Sequence, residues 1–267
     1  MIGSMITSTQ NQQVKELARL KRGHRGADSI LVEGYDEIRV AVSNGVTPVA
    51  LYYCPPLVTA EQLGLGHSLS TERGVPLRAL GEGAFRHVTY REHPDGWIAT
   101  FPPVGVALDQ LKVTSPALVI VCASLEKPGN LGALLRTADA VGAGAVIASD
   151  ASTDWGNPNV VRASRGTLFT VPVARAPREA VVSWLRAHDF TLVGTTPVGG
   201  VVYTEIDMLK DTAIVLGSEH DGLDSDWLKS VDVCATIPMR GVVNSLNVAI
   251  TGALLLYEAQ RQRRMSQ

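Results

Sequence analysis

The order of apolar and polar positions divides the chain into two stretches that meet near Pro103. In the second stretch, short apolar runs alternate with segments of helical spacing. Strands covered on both faces have this pattern, and their alternation with helices is typical of a mainly parallel α/β sheet. The predicted strands are Leu118–Cys122, Ala145–Ala148, Thr191–Gly194, Ala213–Leu216 and Val233–Ile237, and the predicted helices are Leu131–Val141, Arg178–His188, Ser225–Lys229 and Ser245–Arg261.

The first stretch has the pattern of a small α/β domain. Its predicted helices are Asn11–Arg22 and Tyr35–Asn44, and its predicted strands are Ser29–Glu33, Val49–Tyr53 and Trp97–Phe101. Two adjacent prolines, Pro102 and Pro103, disfavour a helix and mark a boundary. We therefore predict one domain over residues 1–103, a linker over 104–116 and a second domain over 117–267.

The last predicted helix has the clearest pattern. Asn244 or Ser245 can cap its N-terminus, because their side chains accept hydrogen bonds from the first backbone N–H groups. One apolar stripe is predicted along it, formed by Leu246, Ala249, Ile250, Ala253, Leu254 and Tyr257.

Composition and charge narrow the function classes. The 267 residues carry a net charge of −2, which argues against a surface that is basic throughout. A local basic patch near the start is formed by Lys15, Arg19, Lys21, Arg22 and Arg25.

The three cysteines, Cys54, Cys122 and Cys234, are far apart in the sequence. We therefore expect neither a disulfide framework nor a zinc site, and we predict that the protein resides in a reducing cytoplasm. No apolar run resembles a signal peptide or a membrane span.

Three polar, glycine-containing segments follow predicted strands, where parallel sheets commonly bind ligands. They are residues 128–136, 216–223 and 237–247. Each also has a simpler interpretation, as a solvated helix face, a polar turn or an unliganded helix cap. A fourth segment, Arg162–Gly166, has two arginines that suit phosphate or carboxylate recognition, or it is a solvated basic turn.

Other catalytic patterns are missing from the sequence. It contains neither G-x-S-x-G nor a phosphate-binding G-x-x-x-x-G-K-[ST] loop. His220 and Asp221 have no partner at metal-ligand spacing, so we predict no metal site.

The three segments together resemble the signature motifs of the SpoU (TrmH-like) family of SPOUT methyltransferases. The matching pieces are N-L-G-A-L-L-R-T-A at 130–138, V-L-G-S-E-H-D-G-L at 215–223, I-P-M at 237–239 and N-S-L-N-V at 244–248. The first stretch is similar, more loosely, to the L30e-like substrate-binding domain of such enzymes, through Leu31–Gly34 and His93–Ala99.

This resemblance implies RNA 2'-O-ribose methylation with S-adenosylmethionine as methyl donor. It also implies a deep C-terminal trefoil knot and a homodimer. The family's functional polar positions fall on Asn130, Arg136, Glu219, Ser245 and Asn247. Its cofactor-binding positions fall on Thr195, Leu216, Gly217, Ile237, Met239 and Leu246. RNA contacts are expected from Lys15, Lys21, Arg22, Arg25 and Arg165.

A mechanism follows from these assignments as a hypothesis. Arg136 lies beside the ribose hydroxyl, where the family view gives an arginine the role of base. Because a guanidinium keeps its proton in proteins, we expect Arg136 to stabilise the developing alkoxide, while an RNA phosphate takes the proton. Glu219 is expected to orient Asn130 or Arg136, and Ser245 and Asn247 are expected to position the ribose and the helix start.

Several alternatives stay open at this stage. The preferred substrate is 23S rRNA, in a housekeeping or an antibiotic-resistance role, and tRNA is the alternative. A non-catalytic RNA-binding protein of the same fold is a second alternative. A doubly wound nucleotide-binding or hydrolytic enzyme is a third, although the sequence lacks the phosphate loop or nucleophile it would need.

Overall fold

The computed structural model describes residues 4–23, 28–151 and 153–266, and these form two compact units. The first unit comprises the described residues up to Val104 together with Gly156–Thr170. The second comprises those between Gly105 and Trp155 and those from Val171 onward. The chain therefore passes between the units three times.

The first unit is built around a four-stranded mixed sheet. Its strands are β1 (Ile30–Glu33), β2 (Ala50–Tyr53), β3 (Leu77–Ala79) and β4 (Trp97–Phe101), in the order β1-β4-β2-β3. Strand β4 is antiparallel to both β1 and β2, and β3 is parallel to β2. The helices are α1 (Gln12–Lys21), α2 (Tyr35–Ser43), α3 (Ala60–Arg73) and α4 (Glu82–Val88). The buried faces of α1 and α4 pack together with β1 and β2 in one core.

The second unit is built around a seven-stranded parallel sheet. Its strands are β5 (Leu118–Ala123), β6 (Ala145–Ser149), β7 (Val173–Ala176), β8 (Thr191–Thr195), β9 (Val201–Val202), β10 (Thr212–Leu216) and β11 (Val233–Thr236). Their order is β7-β6-β5-β10-β8-β11-β9, and every neighbouring pair is parallel. The remaining helices are α5 (Pro128–Val141), α6 (Pro158–Ser164), α7 (Arg178–Ala187), α8 (Ser225–Ser230) and α9 (Val248–Met265), of which α6 belongs to the first unit.

The predicted fold class is confirmed, because all five predicted strands of the second stretch lie in this parallel sheet. Strands β5, β6 and β10 are buried along their whole length, as expected for strands covered on both faces. The implied trefoil knot stays a prediction. The described residues contain no helix with the length and apolar character needed to cross a membrane.

The last helix differs from its prediction in two ways. It begins at Val248 instead of Ser245, and Asn247 is its N-cap, so the predicted cap at Asn244 or Ser245 is wrong. The predicted apolar stripe lies only partly in the core, because Ile250 and Tyr257 are each about half exposed, at 52% and 51%. The face that packs inward is formed by Val248, Ala249, Gly252, Leu255, Leu256, Glu258 and Ala259.

The compact units also differ from the predicted domain limits. The predicted linker 104–116 lies almost entirely in the second unit, where Val106 donates a backbone hydrogen bond to Val173 and Leu111 enters the core. Gly156–Thr170 joins the first unit because α6 packs against β1. The domain limits predicted from the sequence stay a prediction about independent folding.

One side chain ties the end of α9 to the start of the sheet. The Arg263 guanidinium donates hydrogen bonds to the carbonyl oxygens of Pro116, Ala117, Met208 and Lys210, at 2.9, 2.9, 3.0 and 2.7 Å. The first two residues precede β5 and the last two precede β10. Arg263 therefore satisfies four carbonyl groups at one end of the two central strands.

We expect Arg263→Lys to lower the free energy of unfolding by about 1–3 kcal/mol, because an ammonium cannot reach four divergent acceptors as the planar guanidinium does. Urea unfolding followed by circular dichroism measures this. Arg264→Lys, at the exposed neighbouring position, is the matched control and should change stability by less than about 0.5 kcal/mol. Equal effects of the two changes would contradict the assigned role of Arg263.

Candidate active site

Three segments that carry predicted site residues follow strands β5, β10 and β11. Strand β10 lies between β5 and β8, and β11 lies on the other side of β8. Because all these strands are parallel, their carboxyl ends meet at one edge of the sheet, the usual location of ligand sites in such folds. Helix α5 follows β5, a charged turn follows β10, and an irregular segment runs from β11 into α9.

The Asn130 side chain joins these three segments. Asn130 lies in the first turn of α5, where Pro128 begins the helix. Its Nδ2 donates to Glu219 Oε1 at 2.6 Å, and its Oδ1 accepts from Asn247 Nδ2 at 3.1 Å. The expected contact between Glu219 and Asn130 is present, and the roles of both residues in the reaction stay a prediction.

The turn after β10 depends on its first glycine. Ser218 and Gly222 exchange backbone hydrogen bonds at 3.0 and 3.2 Å, which closes the turn that presents Glu219. A Cβ on Gly217 would overlap the backbone of Gly222, so only glycine fits at that position. Within the described residues, no group of three or more His, Cys, Asp or Glu side chains could hold a metal ion.

The start of α9 uses one side chain for two tasks. Asn247 Oδ1 accepts from the Ala249 backbone N–H at 2.9 Å, which caps the helix. Its Nδ2 is the group that reaches Asn130. Asn247 therefore couples the position of the α9 terminus to the position of α5. Ser245 is exposed, and nothing in the described part of the chain contacts it through a hydrogen bond.

The segment before α9 can hold a ligand through its backbone. From Met239 to Asn247, the described residues offer no hydrogen-bond acceptor to the main-chain N–H groups. Ile237, Met239 and Leu246 in and beside this segment are half-buried. Unpaired N–H groups next to apolar side chains suit a ligand that combines a flat heterocycle with polar edges. The residues present thus fit the adenosine part of S-adenosylmethionine.

The other predicted cofactor residues lie at the same edge of the sheet. Leu216 ends β10 and Gly217 follows it, both in buried positions, and Gly252 of α9 approaches the Leu216 side chain closely. Thr195 ends β8, and its hydroxyl donates to the Val215 carbonyl at 3.3 Å. Cofactor contact by any of these residues remains a prediction.

Arg136 stands apart from the hydrogen-bonded cluster. It is exposed on α5, six residues after Asn130, which places it roughly 240° around the helix axis from that residue. No described carboxylate or hydrogen-bond partner engages its guanidinium. The structure therefore brings together Asn130, Glu219 and Asn247, and it leaves Arg136 available to a ligand.

Cys122 at the end of β5 is not a candidate nucleophile. Its thiol is fully buried, and burial, reinforced by the nearby Glu219 carboxylate, raises the pKa of that thiol well above its usual value. The thiol therefore stays protonated and unreactive.

Comparison with known proteins agrees with this geometry. The model of the SpoU rRNA methylase family matches residues 117–257, which is more than half of the chain. The chain belongs to this family. An MRM3-like substrate-binding domain model also matches residues 11–99 of this SpoU family member.

Relatives of this SpoU family member match along nearly its whole length. The 23S rRNA (guanosine(2553)-2'-O)-methyltransferase RlmP of Bacillus subtilis is 30% identical, over 94% of this chain and 97% of the relative. A crystal structure of an RNA 2'-O ribose methyltransferase is 36% identical, with a TM-score of 0.84 over 98% of this chain and all of the other. The AdoMet-bound rRNA methyltransferase of Sinorhizobium meliloti is 29% identical, with a TM-score of 0.89 over 97% and 98%.

The residues predicted to bind RNA lie in the first unit of this SpoU protein. Lys15 and Arg22 are exposed on and after α1, and Lys21 is half-buried with its Nζ 3.3 Å from the His87 carbonyl. Arg165 is exposed and forms an ion pair with Glu37 at 3.4 Å. Arg25 lies outside the described residues. RNA contact by all five remains a prediction.

The Leu31–Gly34 motif has a structural role that the sequence did not reveal. The buried Glu33 carboxylate accepts from the Thr89 hydroxyl and from the backbone N–H groups of Tyr90 and Arg91, the last two at 2.7 and 3.3 Å. More than fifty residues separate Glu33 from these donors, so no local sequence signal could have predicted the contact.

We expect Asn247→Ala to lower the free energy of unfolding by about 0.5–2 kcal/mol, because it removes the cap of α9. The same change should also weaken the binding of S-adenosylmethionine, because Asn130 loses a partner. Thermal unfolding and titration calorimetry measure the two effects. Asn244→Ala is the matched control and should leave stability within about 0.5 kcal/mol of the parent chain. A larger loss with Asn244→Ala would contradict the cap assignment.

Proposed function

We propose that this protein transfers a methyl group from S-adenosylmethionine to a ribose 2'-hydroxyl in RNA, with 23S rRNA as substrate. The observation that supports this most directly is the hydrogen-bonded chain Glu219–Asn130–Asn247, which gathers three turns at one edge of the parallel sheet. Relatives matching along nearly the whole chain carry this activity in their names, and one related structure contains the methyl donor.

The donor supplies an electrophilic methyl group on a sulfonium centre. The unpaired backbone N–H groups from Met239 to Asn247 would bind its polar edges, and Ile237, Met239 and Leu246 would pack against its apolar faces. Leu216, Gly217 and Thr195 complete the proposed donor site. The task of these residues is alignment, because methyl transfer needs the sulfur, the carbon and the attacking oxygen in line.

Arg136 is proposed to act on the RNA and not on the donor. A ribose hydroxyl is a very weak acid, so its oxygen gains most from a cation placed where negative charge develops. The Arg136 guanidinium has no ion-pair partner among the described residues and is exposed, so it can meet that oxygen. The hydroxyl proton then passes to an RNA phosphate. Ser245, exposed just before the α9 cap, is proposed to position the ribose.

Two experiments test the activity and separate it from the alternatives. Titration calorimetry with S-adenosylmethionine should give heat of binding, and heat from ATP alone would favour a nucleotide-binding enzyme. Mapping of 2'-O-methyl groups in rRNA and tRNA, with and without the gene, should show one nucleotide of 23S rRNA that loses its methyl group. Loss of a methyl group from tRNA instead would identify tRNA as the substrate. RNA binding without donor binding would indicate a non-catalytic protein.

We also propose that the protein acts as a homodimer in the cytoplasm. Ile250 and Tyr257 expose about half of their surface on α9, and Ala253 and Leu254 between them are half-buried. These four residues form an apolar stripe that the second unit does not cover. Such a stripe on a helix is typical of a subunit interface.

We expect Arg136→Lys to reduce the rate of methyl transfer to 23S rRNA by roughly 100-fold or more, since an ammonium lacks the planar donor geometry. Binding of S-adenosylmethionine should be unchanged, because Arg136 does not touch the proposed donor site. Single-turnover transfer of a tritiated methyl group measures the rate, and calorimetry measures binding. Arg264→Lys should transfer at the parent rate. An equal rate for Arg136→Lys would exclude the proposed role.

We expect Tyr257→Asp to convert the dimer to a monomer, because it places a charge in the apolar stripe of α9. Sedimentation velocity measures the change. Leu228→Asp is the matched control, because Leu228 is also exposed, at 43%, but lies on α8. A parent chain that sediments as a monomer would disprove the proposed dimer.

A further inference from the structure

A cluster of two cations around one aromatic ring occupies the surface of the first unit. The Lys21 ammonium nitrogen lies 5.7 Å from the centre of the Tyr90 ring, and the guanidinium carbon of Arg162 lies 6.0 Å from it. The three residues come from the end of α1, the segment after α4 and helix α6. All belong to the first unit, although Arg162 is far from the others in sequence.

Hydrogen bonds from both the backbone and the hydroxyl group hold Tyr90 in place. Its backbone N–H donates to the buried Glu33 carboxylate at 2.7 Å, and its hydroxyl donates to the Lys21 carbonyl at 2.7 Å. Burial raises the pKa of the Tyr90 hydroxyl, so it stays protonated and able to donate. The ring is therefore a fixed surface against which both cations are placed before any ligand arrives.

The two cations are not neutralised within the chain. In the parts of the structure that are described, no carboxylate lies within ion-pair distance of Lys21 or Arg162. The nearest polar partners are neutral, the His87 carbonyl for Lys21 at 3.3 Å and the Asn159 side-chain oxygen for Arg162 at 3.2 Å. By contrast, Arg39 and Arg165 on the same unit each pair with a carboxylate.

We infer that Lys21, Arg162 and Tyr90 form a preorganised site for the phosphodiester backbone of the substrate RNA. Two cations that lack a carboxylate partner and lie beside one fixed ring suit a polyanion. The inference rests on the proposed function for the identity of the RNA. It goes beyond the contacts expected from the sequence, because it joins α6 to the end of α1 and makes Tyr90 the positioning residue.

Binding of in vitro transcribed 23S rRNA, measured by filter binding between about 50 and 200 mM salt, tests this site. Lys21→Gln and Arg162→Gln should each weaken binding about 3- to 10-fold near 0.1 M salt. Each should also flatten the slope of log affinity against log salt by about 0.7–0.9, the contribution of one phosphate contact. Arg39→Gln, an exposed but paired arginine of the same unit, is the matched control and should change neither quantity.

Tyr90 variants test preorganisation separately from charge. Tyr90→Leu removes the ring and should weaken binding about as much as the loss of one cation, although no charge changes. Tyr90→Phe keeps the ring and should lose less. Thermal unfolding identifies any Tyr90 variant that fails to fold. In that case Lys21→Gln and Arg162→Gln, which change exposed or half-buried side chains, still test the site.

The outcomes separate this site from the proposed function. If Lys21→Gln and Arg162→Gln bind rRNA as Arg39→Gln does, the site is wrong, whether or not the parent chain transfers methyl groups. If both variants lose affinity and the parent chain methylates no rRNA, the site stands and the proposed function is wrong. A parent chain that does not bind rRNA at all overturns the site. Equal competition by inorganic phosphate at the ionic strength of the assay would show that the site does not select a polyanion.

Discussion

The catalytic unit depends on one side-chain amide that holds two loops to a helix. Parallel strands bring their carboxyl ends to one edge, but they do not fix the segments that follow. Asn130 supplies that constraint, since its nitrogen engages Glu219 after β10 and its oxygen engages Asn247 before α9. An amide suits this position because it offers a donor and an acceptor on one rigid plane, which a carboxylate or an ammonium cannot do.

Positioning and the proposed chemistry fall on different faces of the same helix. Asn130 uses the first turn of α5 to organise the loops, whereas Arg136 points elsewhere and has no described partner. The buried leucines of α5 hold this helix against the core, and α9 packs against it. A rigid helix can therefore transmit the position of the loops to the position of the arginine without any direct contact between them.

The sequence predicted the elements better than it predicted the contacts. Buried parallel strands such as β5 and β10 have an unmistakable apolar pattern, and three glycine-containing motifs indicated the site. The predicted start of α9 was wrong because Asn244, Ser245 and Asn247 are all good cap residues, and the contact of Asn247 with the distant Asn130 cannot be read from the local sequence. Contacts between distant residues, such as Glu33 with Tyr90 or Arg162 with the Tyr90 ring, produce no periodic pattern in the sequence and could not be predicted from it.

The segment Gly156–Thr170 belongs to the first unit although it lies within the sequence of the second, and this limits where the chain can be cut into fragments. The segment leaves the catalytic sheet between β6 and β7, and its helix α6 packs on β1 before the chain returns. A fragment that stops at Val104 would expose the side of β1 that α6 covers. Exchanging the first unit between relatives therefore requires the residues around Arg162 to be exchanged with it.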